Sequence, residues 1–277
     1  MRRLVLVIAY LQVLACAYNP SDDGYELVWE DDFNGTDLSS QWERHIPSQP
    51  EPQANELVVA DGTVTLRTTD PSRWTGISTR GPRQEAEPSY PQMLDWEQGY
   101  FEARVRYSDD DWSFPAVWLF SSAAAEAFPV DDGHCPVLVS ELDIMEGLVP
   151  TGLSNKAQRV THTLHRNTQL LGTDTDGTCG QPDSMAGLRT EAPDPSVRLH
   201  EWQVWGAKWT ATEVCWYFNR SEVGCQPVYD TTDQPMHLIL STNWYHCRTW
   251  LYPDGCPPRP AFTELEVDWV RVWQSEN

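Results

Sequence analysis

Apolar and polar positions alternate with a period of two along much of the chain, the signature of half-buried β-strands. In Gly99–Tyr107, Phe101, Ala103, Val105 and Tyr107 alternate with Glu102, Arg104 and Arg106. Val64 and Leu66 alternate with Thr63, Thr65 and Arg67, and Leu265, Val267 and Trp269 with Glu264, Glu266 and Asp268. Trp202–Trp209, Glu213–Phe218 and His237–Thr242 are further strand-like runs. Turn clusters separate them, among them Asp61-Gly62, Arg80-Gly81-Pro82 and Pro253-Asp254-Gly255. Helical periodicity is confined to a single turn expected at Ser121–Ala127, and Asp174–Val197 reads as a long surface loop. Many short strands with Gly/Pro punctuation predict an all-β sandwich or jelly roll. No linker or internal repeat divides the run.

The N-terminus breaks this pattern. Met1-Arg2-Arg3 precedes an apolar run from Leu4 to Leu14, and Ala15-Cys16-Ala17 offers a small-x-small cleavage site. Residues 1–17 are therefore expected to be a signal peptide, with 18–23 a short lead and 24–277 one domain. The apolar run is too short to span a bilayer, which takes about 20 residues. The expectation is free secretion, with a lipid-modified Cys16 as the alternative. Six cysteines then remain: Cys135, Cys179, Cys215, Cys225, Cys247 and Cys256. An even set in an exported chain points to disulfides. Cys215 and Cys225 flank a hairpin whose turn lies near Asn219-Arg220, and Cys247 and Cys256 bracket a Pro/Gly loop. By elimination Cys135 would pair with Cys179. Asn34 and Asn219 head glycosylation sequons but are better read as turn residues.

Charge narrows the partners. The chain carries 19 Lys+Arg against 41 Asp+Glu, a net −22 that becomes −24 without residues 1–17. Such a surface repels phosphate backbones and anionic lipid, which disfavours nucleic acid and leaves neutral substrates open. With 14 Trp, 10 Tyr and 7 Phe, aromatic surface is plentiful.

The chemistry concentrates in Val137–Gly147, where Glu141, Asp143 and Glu146 interrupt an apolar, β-prone run. In a regular strand Glu141 and Asp143 share a face and Glu146 takes the other. One extra residue near Ile144-Met145 would bring all three onto one face. Clustered acids must split their pKa values. A retaining glycosidase needs that split, with one carboxylate ionised as nucleophile and another protonated as acid. A calcium site or a solvated polar face is the bland alternative.

Glu141-Leu-Asp143-Ile-Met-Glu146 resembles the ExDxxE signature of glycoside hydrolase family 16, in its laminarinase-like (endo-β-1,3-glucanase) branch. Leu27–Gly35, Gly99–Val105, Phe114–Leu119, Thr163-Leu164-His165 and Glu266–Val272 are similar to further family motifs in the same order, covering about residues 25–274. The resemblance implies a concanavalin-like β-jelly-roll of two curved antiparallel sheets with an open concave cleft. It implies Glu141 as nucleophile, Glu146 as acid/base, and Asp143 between them. It also implies Trp118, His165, Phe114 and Trp112 as sugar-binding residues. No cofactor is required for catalysis, although some members carry a structural calcium. The matching positions here are the Asp268 carboxylate with the Asp32 and Gly62 carbonyls. The implied partner is a polysaccharide bound by a monomer, most simply a β-1,3-glucan. Agarose-type β-galactan, mixed-linkage β-glucan, or a silent carbohydrate-binding jelly roll are alternatives. Asn55-Glu56-Leu57 and the arginine-free Trp74–Ile77 depart from the family pattern, as do the inserts at 121–135 and 173–198.

Overall fold

The computed structural model describes residues 17–44, 51–79, 94–108, 112–122, 139–148, 159–167, 185–191, 200–228, 234–244 and 258–275. The described strands, in chain order, are β1 (Tyr25–Asp31), β2 (Leu57–Ala60), β3 (Thr63–Thr68), β4 (Thr75–Ser78) and β5 (Gly99–Tyr107). They continue with β6 (Ser113–Ser121), β7 (Val139–Leu148), β8 (Arg159–Asn167), β9 (Met185–Glu191) and β10 (Gln203–Trp209). The last four are β11 (Glu213–Phe218), β12 (Ser221–Pro227), β13 (Met236–Trp244) and β14 (Thr263–Ser275). They form two antiparallel sheets. One runs β12-β11-β10-β5-β14-β3-β2, with β1 also on β14, and the other runs β4-β13-β6-β7-β8-β9. This is the two-layer solution that the period-two patterning demands.

The core lies between the sheets. The eight-stranded sheet contributes Val64, Leu66, Phe101, Val105, Trp205, Trp209 and Trp216. The six-stranded sheet contributes Val117, Leu119, Leu142, Met145, Leu164, Leu238 and Leu240, all essentially inaccessible. On the outer face of the larger sheet the charged half of each alternation forms cross-strand pairs. Arg106 meets Glu266 and Arg67 meets Glu264 at 2.6 and 2.7 Å. Glu102, 1% exposed, accepts two hydrogen bonds from Arg220. Glu56 is equally buried, with Thr69 donating to its carboxylate and Arg73 3.6 Å away.

The β11–β12 hairpin turns at Asn219-Arg220, both in the left-handed region, and is closed by a Cys215–Cys225 disulfide. Asn219 spends its amide on the turn, accepting from Val204 N–H and donating to Gln203. Cys16, Cys135, Cys179, Cys247 and Cys256 lie outside the described residues, as do residues 1–16 and 123–127 of the expected helical turn. One expectation is corrected. The stretch read as a long loop at 174–197 contains β9, which pairs with β8 from Arg159↔Glu191 to His165↔Met185. Met-Ala-Gly-Leu-Arg-Thr-Glu alternates weakly. An edge strand can instead be held by backbone hydrogen bonds to a neighbour, a tertiary determinant that local patterning does not carry. No helix among the described residues is long and apolar enough to cross a membrane.

Candidate active site

Pairing registers fix which side chains share the open face of the six-stranded sheet, because directly opposed residues on adjacent strands point the same way. On β6 and β7, Phe120 opposes Glu141, Trp118 opposes Asp143 and Ala116 opposes Glu146. On β8, the same three acids meet His165, Thr163 and Thr161. On β13, His237, Ile239 and Ser241 stand opposite Phe120, Trp118 and Ala116. Three rows therefore cross four strands, each with one carboxyl.

The phase works only because β7 carries a bulge. Asp143 and Glu146 are three residues apart, while their partners Thr163 and Thr161 are two apart. Against β6, Val117 opposes Met145 and Trp118 opposes Asp143, so Ile144 is the extra residue. Ile144 and Met145 are fully buried behind the acids, as the spacing of the acids predicts. Immediately after them, Gly147 lets the chain pass Pro115 closely. A Cβ there would lie 2.6 Å from Pro115 Cγ and 3.2 Å from Tyr107 Cε2.

His165 Nε2 shares a hydrogen bond with Asp143 Oδ2 at 2.9 Å and stands 3.7 Å from Glu141 Oε1. Thr161 and Thr163 hydroxyls donate to Glu146 Oε2 at 3.2 and 3.4 Å. The Asp143 side chain is only 2% exposed, whereas that of Glu141 is 26% exposed. Glu141 is thus open to the solvent side of the sheet, and Asp143 lies beneath it. Burial is the main force on both acids. It raises Glu141 from 4.5 to about 8, helped by the Asp143 and Glu146 charges and opposed by His165. It drives Asp143 well above the usual carboxylate range, helped by the Glu146 charge and a hydrogen bond shared with Glu146. Burial and the neighbouring charge thus both favour the protonated form of Asp143.

Of the sugar-binding candidates, Trp118 and His165 stand beside the acids. The Trp118 indole N–H donates to Ser241 Oγ at 3.1 Å and its ring packs edge-on against Phe120. Phe114 shares the face one row further along, opposite Asn243 and edge-on to Trp74. Trp112 packs instead against Trp244, a core residue whose indole donates to the Thr68 carbonyl.

Sequence reasoning passed over Thr161, Thr163, Phe120, His237 and Ser241. Their alternation within β6, β8 and β13 was available. The β6–β7–β8–β13 adjacency that places them near the acids was not.

Among the described residues, two sets of side chains bring metal-ligand atoms together. Those of Glu141, Asp143 and His165 lie within 4.8 Å of one another, with Asp143 and His165 already hydrogen-bonded to each other. Glu213 approaches Cys215 and Cys225, whose sulfurs are already bonded to each other. At the expected calcium position, the Asp268 carboxylate is ion-paired and hydrogen-bonded to Arg104. A guanidinium already compensates that charge, so the set fits a divalent cation poorly.

No family model matches the chain. It is 29% identical over 187 residues, 65% of its length, to a β-glucanase of Rhodothermus marinus. It is 24% identical over 270 residues, 91% of its length, to the endo-1,3-1,4-β-glycanase EglC of Rhizobium meliloti. The chain spans 58% and 48% of these relatives. Among solved structures it superposes on SCLam, a non-specific endo-β-1,3(4)-glucanase from glycoside hydrolase family 16. The TM-score is 0.63 at 20% identity, covering 91% of this chain and 92% of that one. The jelly-roll fold is shared, and the resemblance to family 16 read from the motifs is borne out.

Proposed function

We propose that the chain is a secreted, endo-acting, retaining β-glucan hydrolase, with Glu141 as nucleophile and Glu146 as acid/base. The observation that carries this is the bulge that phases Glu141, Asp143 and Glu146 onto one open face between an indole and an imidazole. In the first step Glu141 attacks the anomeric carbon while Glu146 gives its proton to the departing glycosidic oxygen. This leaves a glycosyl ester on Glu141. Glu146, now ionised, takes a proton from water, and the resulting hydroxide displaces Glu141 with net retention. The buried setting suits this sequence. Burial opposes ionisation of Glu141 in the free protein, so its ionised form reacts from a destabilised ground state, and the positive charge developing on the sugar stabilises it in the transition state.

β-1,3-Glucan is the first substrate to test, and the Trp118 face suits the C–H surface of a pyranose. The names of EglC and SCLam favour a tolerance of mixed 1,3-1,4 linkages as the second reading. Secretion is supported by the Cys215–Cys225 disulfide, which belongs in an oxidising compartment. The mature protein is to be incubated separately with laminarin, mixed-linkage β-glucan and agarose, and the products separated by chromatography. A ladder of oligosaccharides from laminarin supports the reading. Cleavage of agarose alone would replace the substrate class. Normal turnover by Glu141→Gln would overturn the assignment of the nucleophile.

A further inference from the structure

A β-bulge solves a phase problem and creates a hydrogen-bonding one. The inserted residue has no partner on the neighbouring strands, and a buried carbonyl without a donor is costly. Ile144 is that residue here. It opposes nothing on β6 or on β8, and it is fully buried. Its carbonyl nevertheless accepts a hydrogen bond at 2.6 Å from the Nδ1 of His162. The preceding carbonyl, that of Asp143, accepts one at 2.9 Å from the indole N–H of Trp216.

Both donors come from the core side and occupy positions where the pattern calls for an apolar residue. On β8 the core-facing residues are Val160, His162 and Leu164, all inaccessible, while Thr161, Thr163 and His165 face the acids. Burial lowers the His162 pKa from 6.5 to about 4, so the ring is neutral in the working range. A carbonyl can only accept, so the Nδ1–H tautomer is required. The rings of Trp205 and Trp216 stand 5.7 and 6.1 Å away and leave the imidazole little room to turn. Trp216 itself belongs to the opposite sheet, so one of the two anchors crosses the whole core.

We infer that His162 and Trp216 are positioning residues, which pin the bulge of β7 from inside the core and so set Glu146 against Glu141. The inference rests on the functional reading above, because it concerns the geometry between those two acids. Glu146 follows the bulge and Glu141 precedes it. If the bulge slips or flattens, the separation and orientation of the two carboxyls change while each stays on its own strand segment. Misplacement by about 1 Å can cost on the order of 100-fold in rate.

Loss of positioning has a signature that general destabilisation lacks. Cleaving a sugar–sugar bond needs Glu146 to protonate the leaving oxygen, whereas 2,4-dinitrophenolate leaves without that help. His162→Phe keeps the ring and loses the donor. His162→Asn places an amide N–H where Nδ1–H stood, and Trp216→Phe removes the indole N–H. Rates for each folded variant are to be measured on laminarin and on 2,4-dinitrophenyl β-laminaribioside, with Glu146→Ala alongside.

The expected result is a loss of about 100-fold in kcat on laminarin for His162→Phe and Trp216→Phe, with KM little changed. Compared as kcat/KM, which reports glycosidic cleavage and not the later hydrolysis that needs Glu146 as base, the loss on the aryl glycoside should be under about tenfold, and His162→Asn should recover most of the rate. Equal losses on both substrates, or none, would overturn the inference. Should His162→Phe fail to fold, Trp216→Phe and His162→Asn carry the same comparison. A readout independent of activity is the histidine ¹⁵N spectrum of the wild-type protein. It should show one histidine locked as Nδ1–H and unprotonated down to about pH 5, absent from His162→Asn. If that histidine carries its proton on Nε2, the inference falls whatever the substrate proves to be. Inactivity of the wild-type protein on every polysaccharide, with the Nδ1–H signal present, would count against the functional reading alone.

Discussion

Replacing Glu141 by Gln should abolish turnover and stabilise the fold at alkaline pH. The folded protein raises this carboxyl from 4.5 to about 8, so between those values it binds a proton that the unfolded chain has released. Stability is then fully present below about pH 4.5 and is lost as pH rises toward 8. At about 1.4 kcal/mol per pH unit the full loss has a ceiling of about 5 kcal/mol. The neighbouring groups reduce it. Burial favours the uncharged form of Asp143, the imidazole of His165 at 3.7 Å favours the ionised form of Glu141, and a quarter of the Glu141 side chain still reaches solvent. We expect a gain of about 2–4 kcal/mol for Glu141→Gln at pH 8.5 and a difference under about 0.5 kcal/mol at pH 4. Urea melts of both proteins at the two pH values provide the comparison. With a slope of about 3 kcal/mol/M for a chain of this size, the midpoint should move up by about 1 M at pH 8.5. Titration of groups outside the acid cluster is common to both proteins and drops out of the difference. Equal midpoint shifts at both pH values, or a lower midpoint for the variant at pH 8.5, would refute the claim that burial and like charge strain this carboxylate.

Gly147→Ala should cost about 1–3 kcal/mol, because its Cβ would press into Pro115 at 2.6 Å. Activity should fall further than stability, since Glu146 is the adjacent residue, and kcat measured beside a thermal melt checks this. Arg220→Ala leaves Glu102 buried without its cation. The expected loss is about 2–4 kcal/mol, read from urea midpoints at pH 7 and smaller in the double variant with Glu102→Gln. Opening the Cys215–Cys225 bridge frees a loop spanning 10 residues of sequence separation. Cys215→Ala/Cys225→Ala should lose about 2.5 kcal/mol, measured as a fall in urea midpoint. Chelation with EGTA should leave the melting temperature unchanged, given the Arg104 partner of Asp268. A fall of several degrees, reversed by added calcium, would show a bound ion.

The strands legible in the sequence were those whose two faces meet different surroundings. Gly99–Tyr107 puts Phe101, Ala103 and Val105 into the core and its arginines against the acids of β14. Its alternation therefore marks β5 from end to end. The bulge was legible for a related reason. Three acids in an apolar run can share a face only if one residue is inserted, and Ile144 proves to be that residue. The missing information was adjacency. Nothing in the order of residues says that β6 and β8 flank β7, so Thr161, Thr163 and Phe120 looked like ordinary strand positions. Edge strand β9 was hidden because pairing with β8 defines it more than its own alternation does.

His162 was readable in principle and was passed over for the opposite reason. In Val160–His165 the even positions hold Val, His and Leu, and the odd positions hold Thr, Thr and His. The eye goes to His165, which lies in phase with the acids, and treats the other histidine as noise. A polar ring in the apolar phase of a strand must have a buried partner or be strongly disfavoured. The partner here is the carbonyl of the residue that the bulge on the next strand inserts. The two anomalies, acids out of step on β7 and a histidine out of place on β8, have the same cause. Each breaks the alternation of its own strand, and together they satisfy the hydrogen bonding of a single bulge. Out-of-phase polar residues on neighbouring strands are therefore better read in pairs, because what looks like a defect in one strand can be the support for a catalytic geometry in the next.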